Sequence, residues 1–142
     1  MIYISSDHRG FELKKYLIRH LQERGESTED VGPLSYNPSD DYPDFVAKLV
    51  EKMSEYPDSR GVVICKNGVG VSIAANRHPK IRAALSWNKE HAISSRSDDN
   101  SNVLALPSSF ISQEEAVTIL DSWLDTPFAG EERHARRITK LA

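Results

Sequence analysis

Four short apolar runs and a fifth, weaker and more polar one, each followed by a stretch with helical spacing, constrain this chain more than any other feature. Ile2-Tyr3-Ile4-Ser5, Ser27 to Val31, Val62-Val63-Ile64, Ile81 to Ser86 and Asn102 to Leu106 are too short for helices. Their brevity, with the apolar character of all but the weaker Ser27 to Val31, predicts strands. Between them Phe11, Leu13, Leu17, Ile18 and Leu21 recur at helical spacing, with Lys14, Lys15, Arg19 and Glu23 largely on the other side. Phe45, Val46, Leu49, Val50 and Met53 repeat the pattern, and so do Ala116, Ile119, Leu120 and Trp123. This alternation predicts an α/β fold in three layers, a five-stranded parallel sheet with helices on both faces. Ligands of such sheets sit beyond the carboxyl ends of the strands, where the strand order reverses. His8, Cys65, Ser86 and the Asp98-Asp99 turn ahead of the fifth strand are the candidates for that rim.

The punctuation agrees. Gly25 stops the first helix. Asp41-Tyr42-Pro43-Asp44 opens the second, with proline in its first turn and acids at its positive end. Val71 to Arg77 reads as a short helix halted before Pro79, and Asn88 to Arg96 as another. Ser97 to Ser101 reads as a polar turn. Ser112 with Glu115 forms a capping box, and a final helix is expected over about 131–141.

At 142 residues the chain is expected to form one domain, 1–142, able to bury roughly 70% of its unfolded surface. The one cysteine excludes an internal disulfide framework and a cysteine-rich zinc site. Met1 runs directly into a strand, not into the charged start of a signal peptide, and no apolar run approaches the length of a membrane span. A cytoplasmic protein with no membrane partner is expected. The net charge of −3 gives no general pull towards nucleic acid.

The chemistry concentrates between Gly61 and Asn76. A buried strand ends at Cys65, glycines follow at 68 and 70, and a helix begins. Glycines there let backbone N–H groups approach a ligand closely, and a helix start favours negative charge. A thiol so placed is expected to lose its proton more readily than an ordinary one, which has a pKa of about 8.5. The position suits a small core residue equally well. The glycine spacing matches neither the Walker motif nor the full dinucleotide fingerprint. At the first strand tip Asp7 is placed to cap the following turn, and His8 either faces solvent or lines a cleft shared with Cys65.

The other concentration is Arg133-His134-Ala135-Arg136-Arg137. Arg133 and Arg137, four apart, share one helix face and suit a phosphate, although a solvated helix end would show the same charges.

Taken together, Ser6 to Phe11, Asp41 to Asp44, Ile64 to Asn76, Ile81 to Leu85, Asn102 to Leu106 and Arg133 to Arg137 resemble the type B ribose-5-phosphate isomerase family, which includes the galactose-6-phosphate isomerase subunits. The resemblance covers essentially the whole chain, in order. It implies a Rossmann-like (flavodoxin-like) fold and a homodimer or a tetramer of dimers, with the C-terminal helix at the dimer interface. Active sites are then built by two subunits. It implies aldose–ketose isomerisation of a phosphorylated sugar through an enediolate, with no metal and no organic cofactor. Cys65 matches the position of the base. His8, Arg133 and Arg137 match positions that hold the phosphate, Asp7 and Tyr42 match sugar-contacting positions, and Gly68, Gly70 and Asn102 fall within the substrate-binding set.

The chain departs from that pattern at several points. Lys66-Asn67-Gly68 replaces a usual glycine-threonine-glycine, so Asn67 must help hold the reacting oxygens with an amide. Lys66 puts a cation beside Cys65. Asp98 stands where a ring-opening histidine is usual, and a carboxylate is a poor proton donor at neutral pH. Asp99 is left without a role. Pro107-Ser108-Ser109 lacks a frequent arginine, and Trp87 is larger than usual. His91, ahead of the altered turn, reads as a surface residue. The expected activity is isomerisation of ribose 5-phosphate. The alternatives are another aldose phosphate or a catalytically impaired sugar-phosphate-binding protein.

Overall fold

A computed structural model describes residues 1–141; Ala142 lies outside the described residues. The strands are β1 (Ile2–Ser6), β2 (Thr28–Gly32), β3 (Arg60–Cys65), β4 (Ala83–Leu85) and β5 (Val103–Pro107). The helices are α1 (Phe11–Glu23), α2 (Tyr42–Glu55), α3 (Val69–Asn76), α4 (Lys89–Asp99), α5 (Gln113–Asp125) and α6 (Glu132–Thr139), with a 3-10 turn at His8–Gly10. All strand pairs are parallel, in the order β2-β1-β3-β5-β4.

Alternation along the strands splits the core in two. Ile2, Ile4, Val62, Ile64, Leu104 and Leu106 face α1, α4 and α5, meeting Leu17, Ala92 and Trp123. Tyr3, Val63, Cys65, Val103 and Ala105 face α2 and α3, meeting Val46, Leu49 and Val71. These are the three expected layers. The chain starts in the middle of the sheet, so its order reverses between β1 and β3. The tips of those two strands carry Asp7-His8 and Cys65.

Three local readings change. Lys14 is fully buried rather than on the polar face. Its ammonium donates to both Asp30 oxygens at 2.7 Å and to the Pro33 carbonyl at 2.8 Å, which compensates the buried charge. β4 is shorter than expected, an edge strand of Ala83–Leu85. The polar turn expected at 97–101 is instead the last turn of α4, closed by Asn100 in the left-handed region at φ 47°. Arg96 holds that end, donating to the Asn100 side chain and to the Ser101 and Thr126 carbonyls. Burial, together with the Arg60 and Arg82 cations, pushes its guanidinium down to about 10.

The last change moves two candidates. Helix α4 returns from the carboxyl end of β4 to the amino end of β5, as a parallel crossover must. Asp98 and Asp99 therefore lie at the foot of the sheet and not on the rim of their own chain. Val103 pairs with Gly61, whereas Pro107 pairs with Cys65. Four residue steps along the strand, about 13 Å, separate foot from rim.

Candidate active site

The rim is assembled by backbone bonds between strand exits. Asp7 N–H donates to the Ile64 carbonyl at 3.2 Å, Ser108 N–H to the Cys65 carbonyl at 2.9 Å and Ser109 N–H to the Lys66 carbonyl at 3.0 Å. The Ser108 hydroxyl donates to the Arg9 carbonyl at 2.9 Å. The serines that replace an arginine after β5 thus tie together the loops after β1 and β3.

Asp7 takes the capping role. Its Oδ1 accepts from the N–H groups of Arg9 and Gly10 at 2.9 and 3.1 Å, and it is nearly buried beside Cys65's strand. His8 is held by a residue the sequence reading passed over. Asp40 Oδ1 accepts the His8 backbone N–H at 2.9 Å and lies 2.7 Å from His8 Nδ1. Two adjacent aspartates ahead of a helix were the only local signal, and nothing local names a histidine 32 residues away as the partner.

Cys65 ends β3 and is 4% exposed. Its thiol donates to Asn67 Oδ1 at 3.8 Å, and the same oxygen accepts the Val69 N–H at 3.0 Å. Asn67 therefore engages through its oxygen, as acceptor, and pins the thiol to the start of α3. Gly68 turns the chain at φ 73°, where a Cβ would also strike Leu85 at 2.5 Å. A Cβ on Gly70 would meet the Tyr42 ring at 2.4 Å, so Tyr42 lies against the loop that follows Cys65. Lys66 is exposed.

Across the rim, the buried Ser86 hydroxyl lies 2.9 Å from His91 Nδ1, and Trp87 stacks on His91 at 4.3 Å. His91 is thus a half-buried, hydrogen-bonded group rather than a free surface residue, and Trp87 packs against it.

The remaining candidates form a second group at the foot. Asp98 accepts from Ser97 Oγ at 2.9 Å and lies 3.8 Å from His134 Nε2. Arg133 and Arg137 are exposed on α6, where Arg133 pairs with Glu131. Asn102, expected among the substrate contacts, is bonded within its own chain. Its Oδ1 accepts the Arg82 N–H at 2.8 Å and its Nδ2 donates to the Lys80 carbonyl at 2.9 Å, clasping the approach to β4. One chain therefore unites Asp7, His8, Tyr42, Cys65, Asn67, Gly68 and Gly70, and keeps Asp98, Asp99, Arg133 and Arg137 apart from them.

Among the described residues, no group of three or more His, Cys, Asp or Glu side chains is placed to hold a metal ion. No described helix is long and apolar enough to cross a membrane.

A buried cysteine beside a glycine turn, at the reversal point of a parallel sheet, is the arrangement of a small-molecule enzyme of the α/β class. The model of one family, described as Ribose/Galactose Isomerase, matches residues 2–141. A probable ribose-5-phosphate isomerase B of Mycoplasma pneumoniae is 43% identical over 140 residues, covering 99% of this chain and 91% of that protein. The ribose-5-phosphate isomerase B of Mycolicibacterium paratuberculosis is 39% identical, with coverages of 99% and 89%. Among solved structures, that of the Mycoplasma genitalium enzyme with bound ribulose-5-phosphate is similar with a TM-score of 0.95 and 40% identity, over 99% of this chain and 92% of that one. The Thermotoga maritima enzyme gives 0.94 and 44%, over 99% and 95%. The chain belongs to the ribose/galactose isomerase family.

Proposed function

We propose that this chain is an aldose–ketose isomerase that interconverts ribose 5-phosphate and ribulose 5-phosphate. The observation that carries the reading is the match, across 99% of the chain, to a ribose-5-phosphate isomerase B solved with ribulose-5-phosphate bound. The rim fits the chemistry. Cys65 takes the proton from carbon two of the open-chain aldose as the base, and returns it to carbon one. The hydroxyl proton passes from oxygen two to oxygen one, which leaves the ketose. The backbone N–H groups of Gly68 and Gly70, with the Nδ2 amide of Asn67 as a further donor, hold the developing enediolate oxygen. Asp7 and Tyr42 hold sugar hydroxyls, and His8 holds the phosphate.

The phosphate needs the second group as well, and the protein meets that need as a homodimer. A second copy brings Arg133 and Arg137 to the phosphate and Asp98 to the ring oxygen. Two features support this. Helix α6 buries no residue in its own chain. On the side of the open edge β4, Val69 and Ile73 of α3 are 44% and 52% exposed. Helix α6 then packs at the dimer interface of a single-domain protomer. A working thiol fits a reducing compartment, the cytoplasm.

Proton NMR in D₂O tests this reading with ribose, ribulose, allose and galactose phosphates. Conversion of ribose 5-phosphate, with deuterium appearing at the exchanged carbon and lost in Cys65→Ala, is the expected result. Binding without exchange for any sugar would leave a binding protein. Asp98 favours one variant of the reading, in which the proton transfer is intact and ring opening is slow. Turnover from the ketose then exceeds turnover from the ring-form aldose, and Asp98→His narrows the gap by about tenfold or more.

A further inference from the structure

We propose that Asp40 is a positioning residue of this site, fixing the His8 imidazole so that Nε2 is the edge offered to the sugar phosphate. The assignment rests on the isomerase reading for the identity of the ligand, but its geometry stands apart from it. An ionised carboxylate only accepts hydrogen bonds. With Asp40 Oδ1 2.7 Å from Nδ1, the Nδ1 atom carries a proton and donates it to that oxygen. The His8 backbone N–H donates to the same atom at 2.9 Å, so the ring and its main chain are gripped together. The Asp40 side chain is 6% exposed and that of His8 is 23% exposed. Since Nδ1 is turned to a buried group, the open edge of the ring is Nε2. Tyr36 meets the ring edge-on at 6.3 Å, which limits its swing.

Asp40 is itself held. Its N–H donates to the Asn37 carbonyl at 3.2 Å, and the Asn37 side chain caps Ser39 at 3.0 Å. The other end of this loop is fixed by Lys14 on the Pro33 carbonyl. Asp40 Oδ2 is buried and has no hydrogen-bond partner among the described residues. A half-satisfied buried carboxylate is costly, and structural capping alone needs no such group. Its negative charge stands beside the one ring that must face an anion. When the imidazole holds both protons, Asp40 is its counter-charge and Nε2–H is a directed donor to a phosphate oxygen. Which nitrogen carries the single proton is set by the bond the other makes, and here Asp40 makes that bond.

The test uses the full-length protein, Asp40→Ala and Asp40→Asn. ¹⁵N-resolved NMR of the His8 side chain reads the protonated nitrogen directly. Steady-state kinetics with ribose 5-phosphate, and the affinity for inorganic phosphate, read the consequence. Asp40→Ala is expected to lose the Nδ1–H signature of His8, raise KM about tenfold or more, leave kcat within about threefold and weaken inorganic phosphate to match. Asp40→Asn, which keeps an acceptor, retains the Nδ1–H signature and recovers most of the KM. If Asp40→Ala leaves the His8 nitrogen shifts or the phosphate affinity unchanged, the assignment is overturned. If Asp40→Ala does not fold, the parent protein decides alone: a neutral His8 whose single proton sits on Nε2 rather than Nδ1 overturns the assignment. If the parent protein fails to convert any sugar phosphate, the isomerase reading falls. The nitrogen shifts and the phosphate titration still judge Asp40.

Discussion

Tyr42 and Gly70 occupy space that a single methyl group would contest. An added Cβ at residue 70 would sit 2.4 Å from Tyr42 Cζ and 2.6 Å from its hydroxyl. Tyr42 is the first residue of α2 and Gly70 lies in the first turn of α3. The contact therefore locks two helix starts over the turn that follows Cys65.

Gly70→Ala separates packing from backbone. Residue 70 is helical and not in the left-handed region, so alanine gains about 1 kcal/mol of helix propensity. Overpacking against Tyr42 costs about 1–3 kcal/mol, which leaves a net loss of about 0–2 kcal/mol. The ring must move, and a displaced contact group costs about tenfold to hundredfold in kcat/KM. Urea unfolding and isomerase kinetics on the same sample check both numbers. Parental kcat/KM in this variant would remove Tyr42 from the site.

Cys65 makes a sharper prediction because it stands both in the core and at the rim. Cys65→Ala leaves a small cavity among Val63, Val71 and Ala105 and costs about 1 kcal/mol. Turnover falls by about 10²–10⁴-fold or more while sugar-phosphate binding persists. Alkylation of the parent thiol by iodoacetamide is slowed by ribose 5-phosphate, because the ligand covers the one cysteine. A parent thiol whose alkylation ignores the ligand, together with a Cys65→Ala variant that still turns over, would place Cys65 in the core alone.

Lys14 governs the loop that carries Asp40. Lys14→Ala leaves Asp30 and the Pro33 carbonyl without their ammonium, and breaking a buried pair from one side costs about 3–5 kcal/mol. Asp30 is 29% exposed, so water recovers part of its charge and the low end of that range is expected. A urea denaturation series reads the loss, and a cost below about 1 kcal/mol would show the bond to be ornamental.

Much of this architecture is legible in local sequence. Periodicity predicts the strand–helix alternation, and the Ser112–Glu115 capping box forms as its spacing requires. Cys65 at a strand tip before glycines needs no tertiary information to stand out. What could not be read is what depends on strand order. Asp98 sits just ahead of β5, so the parallel crossover through α4 puts it at the foot, whereas strand order decides which strand tips meet at the rim. Asp40 faces His8 because a loop folds back across β1, and no periodicity encodes such a return. Lys14 has the spacing of a surface lysine, and only Asp30 on the neighbouring strand explains its burial.

The separation of rim from foot gives the most discriminating experiment. If each active site joins the Cys65 rim of one copy to Arg137 of another, Cys65→Ala and Arg137→Ala damage different halves of a site. A symmetric dimer of the mixed chains has one doubly damaged site and one intact site. After unfolding and refolding an equal mixture, half of the dimers are mixed, and each offers one intact site of two. Assayed well below KM, where Arg137→Ala keeps about a tenth of the parental rate or less, about a quarter of the parental kcat/KM should then return from two variants that are each weak. Sites contained in a single chain would return no more than the sum of the two variants. Arg137→Ala alone should raise KM about tenfold or more with a smaller effect on kcat, because a guanidinium on the phosphate binds ground and transition states alike. Recovery on mixing together with that KM effect places α6 on the partner's substrate. Without recovery, Arg133 and Arg137 are ordinary exposed charges at a helix end.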